Sequence, residues 1–356
     1  MIKSRIDGIR VAGLAASVPE QVRKNAEWGG RFGEDAVKKI IAATGVVQRH
    51  VSGERICASD LCFDAAERLI QELQWDRSEI GILVFVSQSP DYILPSTSFP
   101  LHSRLGLNKA CAVFDINLGC SGYVYGLWVL SSLLLQSDAQ KGLLLVGEIN
   151  SRLNSPYDRG TALLAGDAGT ATALEKSSVG RPSFYVLGTD GSGFRNLMIS
   201  AGGMRTPHTA ETLLRTERPD GSLRSDGEAH MNGSEVFTFT LREVPTMFKE
   251  LREFSEGVEG EVDYYVLHQA NRFILAHLAA KLKIPPEKLP LSLEQYGNTS
   301  SASVPLTIAA CLRETVMEKS SRLILAGFGV GFSWAAVRID IGPACVLDVG
   351  VVKEPT

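Results

Sequence analysis

Apolar runs that fit buried strands alternate along the chain with segments whose apolar residues recur at helical spacing. Ile6 to Val18 alternates and carries glycines, which predicts a strand and a turn closed by Pro19. Ala36 to Ala43 predicts a short helix stopped at Thr44-Gly45, and Arg49 to Arg55 a polar loop. Ser59-Asp60 can cap a helix to about Leu73, with Leu61, Ala65, Leu69 and Leu73 on one face. Ile80 to Ser87 is an apolar run of buried parallel-strand type, and Gln88 to Pro100, with three prolines, reads as a loop. Ala112 to Ile116 reads as a short strand. Tyr123 to Gln136 is apolar at nearly every position, and its length favours a helix buried on all sides. Leu143 to Gly147 is a further strand, Asp158 to Thr161 a polar turn, and Leu163 to Leu174 a Gly/Ala/Thr-rich stretch.

Beyond Pro182, Phe184 to Gly188 and Asn196 to Ser200 read as strands, and Met204 to His230 as a polar surface excursion. Asn232 to Phe254 is helical, Val262 to His268 a buried strand, and Asn271 to Leu282 a helix. Leu291 to Asn298 leads into a Ser/Ala-rich helix, Ser300 to Lys319, and Arg322 to Ala326 is a strand ending in Gly327-Phe328-Gly329-Val330-Gly331-Phe332. The two halves run in parallel. Helix then strand at 60–87 matches 232–268; strand, small-residue corner and helix at 113–136 matches 291–319; the strand ending at Gly147 matches the one ending at Gly327. Offsets near 180 residues imply a duplicated α/β unit, residues 1–180 and 181–356, with a mostly parallel sheet in each half. Ligands of such sheets bind beyond the carboxyl ends of strands, where Cys120, His268 and Asn298 all fall.

Composition narrows the field. With 44% hydrophobic and 21% charged residues, the chain can bury a large core. A net charge of −4 gives no global reason to bind nucleic acid or an anionic membrane, so an acidic partner needs a local basic patch. The six cysteines are irregularly spaced and fit neither a disulfide framework nor a zinc site, which favours a reducing, cytoplasmic setting. The first residues lack the apolar core of a signal peptide, and the longest apolar stretch is too short to span a bilayer.

Cys120 sits at a strand-to-helix corner among Gly119, Ser121 and Gly122, which let a substrate approach. A helix N-terminus favours thiolate, so Cys120 is the candidate nucleophile; a buried structural cysteine is the plain alternative. His268 ends an apolar strand in His268-Gln269-Ala270-Asn271. Asn298, in Tyr296-Gly297-Asn298-Thr299-Ser300, occupies the place corresponding to the cysteine corner, and an N-cap is its ordinary reading. An α/β-hydrolase would need Gly two places before the nucleophile, where Leu118 stands. A dinucleotide fingerprint at Gly327 to Phe332 lacks its last glycine and the chain to complete a βαβ unit.

Taken together these motifs, with Gly166-Asp167-Ala168-Gly169 and Gly329-Val330-Gly331-Phe332-Ser333-Trp334, resemble the β-ketoacyl-acyl carrier protein synthase III family of the thiolase superfamily, over nearly the whole chain. The resemblance implies a layered αβαβα fold of two duplicated halves, a Cys120–His268–Asn298 triad, and an oxyanion hole from the backbone N–H groups of Cys120 and Val330. It implies an acyl-cysteine, then attack by an enolate formed when a malonyl thioester loses CO2, with His268 Nε2–H and the Asn298 amide donating to the enolate oxygen. Phosphopantetheine-linked substrates would suffice, with no metal or redox cofactor. Implied partners are acyl carrier protein, acyl-coenzyme A and a second copy of the chain, Leu94 crossing an interface above about 2,000 Å². Arg159, Asn271, Arg272 and Lys281 are the expected substrate and carrier contacts, the cations near Arg272, Lys281 and Lys283 sharing one helix region beside His268. Family members primed by acyl-coenzyme A usually carry a Trp and an Arg shortly before the Thr-Gly of the first domain. Residues 35–44 hold neither, which leaves open a carrier-borne primer or a coenzyme A held differently. The alternatives within the superfamily are an acyltransferase acting on an alcohol or amine, and a non-catalytic partner subunit.

Overall fold

The computed structural model describes residues 1–219, 221–257 and 260–355. Its first half contains β1 (Ile2–Ile6), β2 (Ile9–Pro19), α1 (Glu34–Thr44), α2 (Ala58–Glu72), β3 (Ile80–Val86), β4 (Ala112–Ile116), α3 (Gly122–Gln136), β5 (Lys141–Ile149) and β6 (Asp167–Lys176). The second contains β7 (Ser183–Thr189), α4 (Gly233–Phe254), β8 (Tyr264–Leu267), α5 (Arg272–Leu282), α6 (Ser303–Cys311), β9 (Ser321–Gly329), β10 (Ser333–Ile341), β11 (Cys345–Val346) and β12 (Gly350–Val352).

Strand alternation builds the layers. Successive side chains point to opposite faces, so β3 sends Val84 and Val86 one way and Leu83 and Phe85 the other. Val84 and Val86 join α3 and α6 in a central apolar layer that also receives Leu323 and Leu325 of β9. Leu83 and Phe85 pack outward on α2, while Ile324 and Ala326 pack outward on α4 and α5. The result is helix, sheet, helix, sheet, helix, the expected αβαβα stack.

The sheets are mixed rather than mostly parallel. In the first, β4, β3 and β5 run parallel, but β5–β6 and β6–β2 are antiparallel. In the second, only β8 and β9 are parallel; β9, β10, β7 and β1 follow antiparallel. The reversals come from β6, which returns after the connection 150–166, and from β10, which returns across the turn at 330–332. The halves also trade their ends: β1 pairs with β7 in the second sheet, and β11 and β12 pair with β2 in the first. Before Asn298, the expected strand is replaced by a short helix, Leu293–Tyr296, made of good helix formers and closed by Gly297 at φ +67°. Ser98–Arg104, within and beyond the Pro-rich loop, is likewise helical. The stretch from Asn196 contributes only a two-residue strand, and α3 leaves Leu133 and Leu135 exposed rather than being buried on all sides.

At the cysteine corner the halves meet backbone to backbone. A Cβ on Gly327 of β9 would lie 2.4 Å from the Cys120 carbonyl oxygen and 2.8 Å from Ser121 Cα. Gly327→Ala should therefore cost about 1–3 kcal/mol by overpacking, read as a lower denaturation midpoint. Gly30→Ala, with nothing within 4 Å of the added carbon, should stay within about 0.5 kcal/mol of the parent. Equal stability of Gly327→Ala and the parent would contradict this junction.

Candidate active site

Each half delivers its part of the site from the end of a strand. β4 stops at Ile116, α3 begins at Gly122 with Ser121 as N-cap, and Cys120 lies at the corner, partly accessible on a cavity of about 380 Å³. From the second half, β8 leads to buried His268, whose N–H continues the ladder to Ala326 O at 2.8 Å. β9 brings Gly329, where a Cβ would sit 2.6 Å from Cys120 Sγ, so no side chain fits. Asn298 is pinned across the halves: its N–H donates to Leu164 O at 2.9 Å, and its carbonyl accepts from Gly166 N at 3.0 Å. Val330, Asn298 and Ser300 line the cavity with Cys120.

Electrostatics single out this thiol. Burial pushes Cys120 up, but the charge of His268 and hydrogen bonds from His268, the Val330 backbone and Ser300 outweigh it and hold the thiol down at about 7. Cys57, Cys111, Cys311 and Cys345 are pushed up instead, by burial first, and fully buried Cys62 is raised furthest, above the range of an ordinary thiol. Ser300 Oγ stands 3.9 Å from Cys120 Sγ, on a residue held at φ +49°, a strained conformation for serine.

Hydrogen bonds fix the other two groups. Ser303 Oγ donates its one proton to Ser300 O at 2.7 Å, so at 2.8 Å it accepts from His268 Nδ1–H. Nε2 is then the ring nitrogen left for the thiol. In that arrangement it carries a proton when the ring is an imidazolium, the state in which it can donate. Asn298 Oδ1 accepts from Ser300 N at 2.8 Å, an Asx turn rather than a helix N-cap, and Nδ2 makes one long bond to Ala270 O at 3.4 Å.

Sequence reasoning missed Glu148. Its carboxylate is fully buried at the end of β5, accepting from Ser301 Oγ at 3.0 Å, Ser89 Oγ at 3.1 Å and the Gln88 backbone N–H at 3.1 Å. Burial, and to a lesser degree the Cys120 charge, push it up to about 8 against those donors. The signal existed: strand alternation puts Glu148 on the face of Leu144 and Val146, toward the second half.

The remaining expected contacts separate. Arg159 is exposed on a mouth of about 770 Å³ that shares Thr161 and Met231 with the inner cavity. Beside it Arg31 lies over the rings of Trp28 at 5.1 Å and Tyr157 at 4.5 Å, a stack unlike the Trp and Arg absent from residues 35–44. Asn271 is the N-cap of α5, its side chain accepting from Ile274 N at 2.8 Å. Arg272, in the first turn of α5, pairs with Glu294 at 3.4 Å, whereas Lys281 in the last turn donates to Leu241 O at 2.8 Å. Both stand on α5, the one helix region expected, about 14 Å apart along it. Leu94 is 80% exposed on its loop.

A cysteine at a strand–helix corner, met by His and Asn from the second half of an αβαβα stack, is the layout of a thiolase-superfamily enzyme. Residues 114–191 match the family model described as 3-oxoacyl-[acyl-carrier-protein] synthase III, and residues 255–341 match its C-terminal model. A putative 3-oxoacyl-[acyl-carrier-protein] synthase 3 of Campylobacter jejuni is 33% identical over 95% of this chain and 96% of its own. A β-ketoacyl-[acyl-carrier-protein] synthase III of Streptococcus agalactiae is 32% identical over 93% of this chain and 99% of its own. The crystal structure of a 3-oxoacyl-(acyl-carrier protein) synthase from Burkholderia xenovorans superposes with a TM-score of 0.93 at 39% identity, covering 99% of each chain. The chain belongs to the 3-oxoacyl-acyl carrier protein synthase III family. No helix among the described residues is long and apolar enough to cross a membrane.

The held-down thiol has a direct consequence. Thiolate is present above about pH 7 and lost as pH falls through it. Alkylation of Cys120 by iodoacetamide, followed by peptide mass, should rise with a midpoint near 7. In His268→Ala the midpoint should move above about 8.5, since burial is then opposed by less. An unchanged midpoint in that variant would remove His268 as the cause.

Proposed function

We propose that the chain is a decarboxylating condensing enzyme. It joins an acyl primer, borne on coenzyme A or a carrier protein, to malonyl-acyl carrier protein through acyl-Cys120, in fatty acid or related lipid and polyketide biosynthesis. The observation that carries this reading is the Cys120 thiol held at about 7 on a cavity shared with Asn298 and Val330. The Cys120 thiolate attacks the primer thioester, the backbone N–H groups of Cys120 and Val330 take the oxyanion, and the carrier thiolate leaves. Malonyl-carrier then loses CO2, and its enolate attacks the acyl-cysteine, expelling the Cys120 thiolate. Asn298 Nδ2 donates to the enolate oxygen. His268 Nε2 joins it only as imidazolium, so the proton taken from Cys120 stays on His268 while solvent protonates the departing carrier thiolate. The substrates' phosphopantetheine arms provide the only carrier group required, and Arg159 with Arg31 gives an acidic carrier cations at the mouth despite the net charge of −4.

One observation favours a second reading. With Nδ1–H tied to Ser303, neutral His268 presents Nε2 as a base, which suits acyl transfer to an alcohol or amine. Asn298→Ala separates the two. It should still acylate at Cys120, while CO2 release from malonyl-carrier falls on the order of 10²–10³. Acyl turnover that never consumes malonyl-carrier, in parent and variant alike, would favour plain transfer.

A homodimer follows from the same reading. Among the described residues β4 is an edge strand paired with β3, and Ile93 and Leu94, 82% and 80% exposed, lie on the loop that leads to Ser98, whose N–H donates to Asp115 of β4 at 2.8 Å. An unprotected edge beside apolar side chains invites pairing. Light scattering should return twice the 38.5 kDa chain mass, and Leu94→Asp should raise the monomer fraction. A fully active monomer would contradict it.

A further inference from the structure

Three neighbouring parallel strands, β4, β3 and β5, end beside one another, and just past each end stands a carboxamide: Asn117, Gln88 and Asn150. All three line the cavity that holds Cys120. Gln88 Nε2 donates to Asn117 Oδ1 at 3.3 Å, and Gln88 Oε1 lies against Gly119, the residue before the nucleophile, where a Cβ would approach it to 2.3 Å. The Asn150 amide makes no hydrogen bond among the described residues, whereas neighbouring Asn154 donates to the Asn150 backbone carbonyl at 2.7 Å. The amides beside the nucleophile therefore retain unused donors and acceptors that face the cavity.

Leu153, Leu164, Met198 and Ile199 line other parts of the cavity and suit an alkyl group, but the three amides are a poor match for a saturated acyl chain where it passes them. An alkyl group entering here displaces water from the amides and returns no hydrogen bond, so their desolvation opposes binding. A hydroxyl or carbonyl oxygen on the primer restores it: either accepts from an amide NH₂, and a hydroxyl also donates to an amide oxygen. We propose that the primer accepted by Cys120 is a short acyl thioester bearing a hydroxyl or carbonyl oxygen near its thioester end, recognised by Asn150 and the Gln88–Asn117 pair. This rests on the acyl-cysteine reading above and specifies its substrate. The step itself is thioester exchange: the Cys120 Sγ–acyl carbon bond forms, the acyl–pantetheine C–S bond breaks, and the pantetheine thiolate leaves and is protonated by water.

The test uses the whole chain and two pantetheine thioesters matched in length, butyryl and 3-hydroxybutyryl, which carry the arm common to both carrier types. Intact mass against time at pH 8 gives the acylation rate constant per concentration of each. The hydroxylated primer should react at least about tenfold faster, since a site built to hydrogen-bond a substrate rejects the analogue lacking the group. Asn150→Leu should move the ratio at least about tenfold toward butyryl, and Asn117→Leu, on the exposed side of the pair, gives a second readout if the first variant does not fold. A parent chain that takes butyryl as fast as or faster than its hydroxylated counterpart, or a ratio unmoved in the folded variants, overturns the proposal. Acylation by neither thioester overturns the acyl-cysteine reading and this proposal with it, an outcome distinct from a preference for butyryl.

Discussion

A thiol packed away from water resists ionisation, and at Cys120 that resistance is overcome by a charge that the other half of the molecule delivers. His268 comes from β8, Cys120 from the end of β4, and the two belong to different sheets of the stack. Their meeting depends on the central layer formed by α3 and α6 and on β9 crossing the cysteine corner at backbone distance. Five of the six cysteines show what happens without such a partner, since burial raises them all. Reactivity is thus a property of the junction between halves.

The same junction concentrates hydrogen bonds that orient rather than react. Ser303 fixes the His268 ring and also accepts from Gln269 N at 3.3 Å. Ser300 holds the Asn298 amide by its backbone and approaches Cys120 by its hydroxyl. Beneath them Glu148 gathers donors from the loop after β3 and from Ser301, so one carboxylate ties together the segments carrying Gln88 and Asn298. Removing it would strand several buried donors, each costing about 1–3 kcal/mol. Such a cage explains how turns without regular ladder bonds keep a fixed geometry around the thiol.

Much of this was legible in the chain. Ile80 to Ser87 predicts a strand that ends within one residue of the observed one, because a short apolar run rich in Ile and Val and bounded by polar residues has few other uses. Cys120 and His268 are readable as strand-end residues, whereas Asn298 follows a short helix instead of the expected strand, and family resemblance joins the three. Other features depend on tertiary contact. β6 returns antiparallel, a direction its Gly, Ala and Thr residues do not encode, and Gly169 is there because a Cβ would strike Cys62 N at 2.4 Å. Arg272 and Lys281 were legible as residues of one helix, but not that one pairs with Glu294 and the other with the Leu241 carbonyl. The His268 tautomer depends on where one serine proton goes, which no spacing encodes.

A single-turnover chase joins the thiol, the donors and the fold in one readout. Enzyme acylated at Cys120 is freed of excess primer, mixed with malonyl-acyl carrier protein, and followed by mass and CO2 release. Condensation requires one CO2 and one lengthened ketoacyl-carrier for every acyl group that leaves Cys120. Loss of the acyl group as free acid, or onto another acceptor without CO2, would contradict it.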